Sequence, residues 1–200
     1  MVSKKLLTLR ELVLFALLGA IMFCGYFFLQ VLPNVEVVSL LIVVYTVVFR
    51  AKALIPIYVY VVTNGIVYGF APWWLPYLYI WAVLWAVVML LPKFSFFGNA
   101  AKNKSPLSPN NKNSATKPLQ KNALLAVLYA AVSGVFGLAF GALYMPAQAL
   151  MFGLSFNGAV AWWLAGLIFD ITHCAANFAL GFLVLPLAAA LSRLKHSADR

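Results

Sequence analysis

Asp170, His173 and Asn177 stand at steps of three and four residues inside an otherwise apolar stretch, so on a helix they fall along one face. Ionisable groups within such a stretch are expensive to bury and are functional candidates by default. A carboxylate and an imidazole one turn apart have two uses: lining a solute cavity, or satisfying each other and locking their helix to a neighbour. They are too few for a metal site. Glu36 lies beside Pro33 and Asn34 at the start of another apolar stretch, where it either reaches an external solute or extends to water. Four tryptophans, Trp73 and Trp74 in Pro72-Trp73-Trp74-Leu75-Pro76-Tyr77 and the pair Trp162-Trp163, fall at apolar boundaries. They read as an interfacial belt or as a rim over a ring-bearing ligand, with Asn64 and Tyr68 as further polar contacts.

Other chemistry is missing. The sequence has no phosphate-binding Gly-x-x-x-x-Gly-Lys loop, no His-Glu-x-x-His and no Gly-x-Ser-x-Gly. Ser133-Gly134 and Thr172-His173 lack a third group to activate a nucleophile. Cys24 and Cys174 both fall within apolar stretches and suggest neither a disulfide framework nor a thiolate metal site. An intramembrane enzyme would have to rely on Asp170 and His173.

The elements that must position these residues follow from composition. Of 200 residues, 65% are hydrophobic and 9% charged, against roughly a quarter charged in a soluble domain. The expectation is an all-α integral membrane protein. Six apolar stretches are long enough to be spans, at about 12–31, 35–49, 53–70, 73–91, 123–145 and 159–191. They form one membrane domain over residues 1–200, interrupted at 93–122 by a polar Lys/Asn/Ser/Pro segment that reads as a flexible cytoplasmic linker. Thr8 to Glu11 reads as a capping box opening the first helix, and Pro186 as a bend or exit in the last. Period-two alternation, the mark of a β-barrel, is absent.

Six spans put both termini on one side. On that side lie all fourteen basic residues: Lys4, Lys5 and Arg10; Arg50 and Lys52; the lysines from Lys93 to Lys121; and Arg193, Lys195 and Arg200. The positive-inside rule makes this the cytoplasmic side. The formal charge of +10 is therefore a mark of sidedness, not a nucleic-acid footprint. Asn103-Lys104-Ser105, a glycosylation sequon, falls on that side and is discounted. Ala16, Gly19 and Ala20 in the first helix, and Gly134, Gly137 and Gly141 in the fifth, form small-residue rows that let helices approach closely.

Six helices in about 200 residues, Ala16-Leu17-Leu18-Gly19-Ala20 in the first, the 32–40 segment beginning Leu32-Pro33-Asn34-Val35-Glu36, and the 162–174 segment containing Phe169-Asp170-Ile171-Thr172-His173 together resemble the substrate-binding S component of an energy-coupling-factor (ECF) vitamin transporter. The resemblance spans essentially the whole chain, and within the family it is closest to the cobalamin branch. It implies a multi-pass protein of a prokaryotic plasma membrane that captures a vitamin from outside. Its partners would be a transmembrane T component, met through Ala16, Gly19 and Ala20, and two ATPases that use ATP and magnesium; this chain itself would bind no cofactor and no nucleic acid. The implied solute site opens outward and maps onto Asn34, Glu36, Asn64, Tyr68, Trp73, Trp74, Tyr77, Trp162, Trp163, Asp170 and His173. Pantothenate, folate or a queuosine precursor are alternative substrates. A structural or assembly role is the remaining non-transport alternative.

Overall fold

The computed structural model describes residues 7–91 and 116–198, and these are helical throughout apart from turns. In chain order the helices are α1 (Leu9–Leu29), α2 (Val38–Phe49), α3 (Leu54–Tyr68), α4 (Tyr77–Leu90), α5 (Thr116–Phe152), α6 (Phe156–Ala165), α7 (Leu167–Gly181) and α8 (Val184–Ala198). Short 3-10 turns, Arg50–Ala53 and Pro72–Trp74, precede α3 and α4. Most of the expected 93–122 linker lies outside the described residues, as do Lys4, Lys5, Asn103 and Arg200.

The start of α1 follows its sequence signature. The Thr8 hydroxyl accepts from the Glu11 N–H, and the Glu11 carboxylate accepts from the Thr8 N–H. Glu11 also pairs with Lys52, tying α1 to the α2–α3 turn. A stretch of helical residues from Val38 to Tyr68 is apolar enough to be one span, but it folds back on itself. Arg50 takes a left-handed φ of 56°. On either side of it, Phe49 meets Phe15 and Val37 meets Gly25, whereas Val59 meets Gly19 and Tyr68 bonds Gln30. So α2 runs antiparallel to α1, and α3 runs parallel to it.

Nine of the twelve α2 residues are buried, which makes this helix the centre of the molecule and explains why it is apolar all round. Phe15 and Met22 of α1, Ile57 and Tyr60 of α3, and Ile80 and Leu84 of α4 close around it. The outer surface carries large apolar side chains such as Leu17, Ile21, Phe28, Ile66 and Ile168. Four helical stretches are long and apolar enough to cross a membrane, and the α6–α7 pair adds a fifth, bent by 53°. A bilayer is the solvent that suits such an exterior.

Four boundaries differ from the sequence expectation, the first being the start of the fifth helix, at Thr116 rather than near residue 123. The second helix begins at Val38 rather than near residue 35, because Asn34 adopts a left-handed φ of 55° and holds residues 30–37 in a turn. The fifth helix continues past Pro146 to Phe152, then turns at Gly153, where φ is 63°, before Ser155 caps α6 through a bond from the Gly158 N–H. The stretch at 159–191 is three helices, broken at Gly166 and again at residues 182–183. Pro186 falls in the first turn of α8, where a missing N–H costs no helical bond.

Every described basic side chain outside α5 sits toward one end of the molecule. Arg10 adjoins the Glu11–Lys52 pair, Arg50 donates to the Met89 carbonyl, and Lys195 lies over the Phe49 ring, with Arg193 close by in sequence on α8. The opposite end holds the 30–37 turn, the 68–77 connection and the α5–α6 junction. There the Tyr144 and Tyr79 hydroxyls donate to the carbonyls of Trp73 and Leu143.

Candidate functional site

At the end away from the basic residues the helices open into two adjoining chambers. The inner one, about 260 Å3, is walled by Tyr26 and Gln30 of α1, the turn from Leu32 to Glu36, Val38, Tyr60, Tyr77, Trp81, Phe140 and His173. The outer one, about 480 Å3, is walled by Gly141, Tyr144 and Gln148 of α5 and by Trp162, Trp163, Gly166, Phe169 and Asp170. Asn34 and Phe140 line both and form the partition between them.

The polar stripe of α7 reaches this site because α5 offers it a glycine seat. A Cβ at Gly137 would stand 2.8 Å from the His173 carbonyl, one at Gly134 would stand 3.1 Å from Phe178 Cβ, and one at Gly141 would overlap the Asp170 carboxylate. The small-residue row of the fifth helix thus brings α7 close enough to bury Asp170, His173 and Asn177.

Asp170 and His173 do not satisfy each other. The Asp170 carboxylate accepts from the Gly141 N–H at 3.0 Å and from the Trp163 indole N–H at 3.1 Å, pinning the bent α6–α7 pair to α5. His173 Nε2 instead meets Glu36 Oε1 at 3.0 Å, with side-chain exposures of 5% and 12%. The second Glu36 oxygen accepts the Ser39 N–H at 2.8 Å, so this carboxylate also caps the start of α2. Burial pushes the Glu36 carboxyl up, but the His173 ring and the Ser39 N–H bond outweigh it and hold it below the ordinary glutamate value.

Aromatic rings complete the inner wall. Tyr60 lies 6.1 Å from Tyr26 and 6.2 Å from Trp81, Trp81 5.4 Å from Tyr77 and 5.5 Å from Phe140, and Phe140 4.9 Å from the His173 ring. In the outer chamber Trp162 stacks on Tyr144 at 6.0 Å.

Of the residues singled out from sequence, Asn34, Glu36, Tyr77 and His173 line the inner chamber, and Asn34, Trp162, Trp163 and Asp170 line the outer one. The others are placed elsewhere. Asn64 is buried in α3 and donates to the Tyr60 carbonyl, the Trp74 indole donates inward to the Val61 carbonyl, Trp73 packs on Tyr77, and Tyr68 bonds Gln30 at the rim. Sequence reasoning passed over Tyr26, Gln30, Tyr60, Trp81, Phe140, Tyr144 and Gln148. The four-residue steps Tyr77 to Trp81 and Phe140 to Tyr144 were available signals for facing aromatic rows.

The Thr172 hydroxyl donates to the Ile168 carbonyl on the exposed face of α7, away from the chamber, so it gives His173 no nucleophile to activate. No three His, Cys, Asp or Glu side chains come together as a metal set among the described residues. What the arrangement offers is recognition: aromatic walls, one carboxylate–imidazole pair, and polar side chains at the mouth.

Ala16 and Ala20 are exposed on α1, while Gly19 between them is buried against Val59 and Pro56 of α3. The 100° step per residue separates their roles. The alanines face outward, and the glycine seats α3 within the chain rather than on the outer face. No protein-family model, curated protein or solved structure matches this chain.

Proposed function

We propose that the chain is the substrate-binding S component of an ECF-type importer. In this reading it crosses a prokaryotic plasma membrane six times with both termini in the cytoplasm, the six crossings being α1, α2, α3, α4, α5 and the bent run α6 to α8. The observation that carries the reading is the placement of the two-chambered cleft at the end opposite the basic side chains. Under the positive-inside rule that end faces outward, where a nutrient would be captured. A further support is the exposed Ala16 and Ala20 row, which suits close approach by a transmembrane T component. ATP, with magnesium, is then hydrolysed by two partner ATPases, and the solute is delivered inward through reorientation of this subunit. The solute is a water-soluble vitamin. Within that class the inner chamber, about 260 Å3, favours a vitamin smaller than the cobalamin that the resemblance suggests.

Co-expression with a T component and its ATPase pair tests the assignment. Ala16→Trp combined with Ala20→Trp is expected to abolish co-purification and uptake while the isolated subunit still binds solute. Intact assembly and uptake in that double variant would remove the coupling face.

A further inference from the structure

Two polar groups buried in the wall of the inner chamber have no hydrogen-bond partner: the Trp81 indole N–H and the Tyr60 hydroxyl, on lining residues 3% and 0% exposed. Trp81 is the exception among the inward-directed tryptophans. Trp74, Trp85 and Trp163 donate their indole N–H groups to the Val61 carbonyl, the Arg50 carbonyl and the Asp170 carboxylate. A buried donor left unpaired is costly, and an indole N–H can only donate, so whatever completes it must present an acceptor.

Charge narrows the class. Neither chamber is lined by a lysine or arginine, and the inner chamber's one potential cation, His173, is already engaged by Glu36. A buried anion would find no counter-charge and would face a carboxylate. Glu36 uses one bond per oxygen and keeps lone pairs free for a donor from the ligand. Size narrows it further. About 260 Å3 holds roughly nine waters at ~30 Å3 each and falls below the range of drug-sized sites. The walls are ring edges and faces, which favour a flat partner.

Resting on the solute-binding reading above, we propose that the inner chamber takes a single small, flat heteroaromatic ring system, neutral or singly cationic. It places an acceptor on Trp81 and Tyr60 and a donor edge on Glu36. The outer chamber is its vestibule.

The test uses the detergent-purified full chain, with native mass spectrometry and tryptophan fluorescence as readouts. The probes are nicotinamide and adenine on one side, and nicotinate, pantothenate, folate and cyanocobalamin on the other. The expected result is that the tightest probe comes from the first group and that nicotinate, nicotinamide's anionic counterpart, binds more weakly than nicotinamide. Trp81→Phe keeps the ring and removes the donor, so it weakens the tightest probe by about ten- to hundredfold. Tyr60→Phe acts in the same direction by several-fold and serves if the Trp81 variant does not fold. Glu36→Gln narrows the gap between nicotinamide and nicotinate. An anion or cyanocobalamin as the tightest probe, or heterocycle binding unchanged in both donor variants, overturns this inference and leaves the solute-binding reading standing. Binding of no probe at all overturns both.

Discussion

The Glu36–His173 pair joins the turn before α2 to α7, and each partner is costly to bury without the other. His173→Ala leaves the carboxylate with only its Ser39 contact. It is expected to cost about 3–5 kcal/mol, read as a lowered midpoint in thermal unfolding in detergent. Glu36→Gln keeps the shape and is expected to cost less, about 1–3 kcal/mol. A cost for His173→Ala no larger than that of an exposed substitution would show that the pair contributes nothing. The pH dependence has a definite sign. Because the folded Glu36 carboxyl is held below its ordinary value, its contribution is fully present above the unfolded glutamate pKa of about 4.3 and is lost as pH falls through the lower folded value. Wild type should therefore lose stability on acidification below about pH 4 more steeply than Glu36→Gln, as unfolding midpoints across that range would reveal. Parallel acid profiles for the two proteins would contradict it.

At the scale of elements, contact between α5 and α7 decides whether the polar stripe is buried. Among the α5 glycines Gly137 makes the tightest backbone approach, since an added Cβ would meet the His173 carbonyl, which has no rotamer to change. Gly137→Ala is expected to push the helices apart at a cost of about 1–3 kcal/mol, more than Gly134→Ala, whose Cβ would meet a side chain at 3.1 Å. Unfolding midpoints of the two variants give the order directly, and equal values would mean that the seat has slack. The bent α6–α7 pair is held at its break by Asp170 bonding Trp163 on one side and Gly141 on the other. Much of this level was legible in advance. The Thr8 to Glu11 capping box and the α5 glycine row both read from spacing alone, because each depends on residues close in sequence. The breaks at Gly166 and at residues 182–183 did not. Local apolar pattern is continuous across them, and only the neighbouring helices determine where the chain must turn.

For the whole molecule, the gathering of basic side chains at one end and of the cleft at the other makes a prediction about sidedness. With Cys24 and Cys174 replaced by Ala, a single cysteine at Asn34 should react with an impermeant thiol reagent applied to intact cells, and one at Lys195 should react only after the membrane is opened. Labelling of both from the same side would remove the six-crossing topology. The folding back of α2 and α3 at Arg50 matters here, because it turns one apolar stretch into two antiparallel legs and keeps the order of ends alternating along the chain.

The amino-acid sequence by itself determined the helical, lipid-compatible character of the chain and the clustering of its basic residues into a few segments between apolar stretches, because hydropathy, caps and charge placement are local properties summed along the chain. It also pointed to Asp170 and His173 as costly groups within an apolar stretch and placed Glu36 at a helix start, within reach of a solute or of water. Only the tertiary structure decided that His173 pairs with Glu36, 137 residues away, and that Asp170 turns to Gly141 and Trp163. It also turned Trp74 inward and left the Trp81 donor unpaired in a chamber wall. Spacing along one helix says which side chains share a face; which partner each one meets depends on the register and approach of helices distant in sequence.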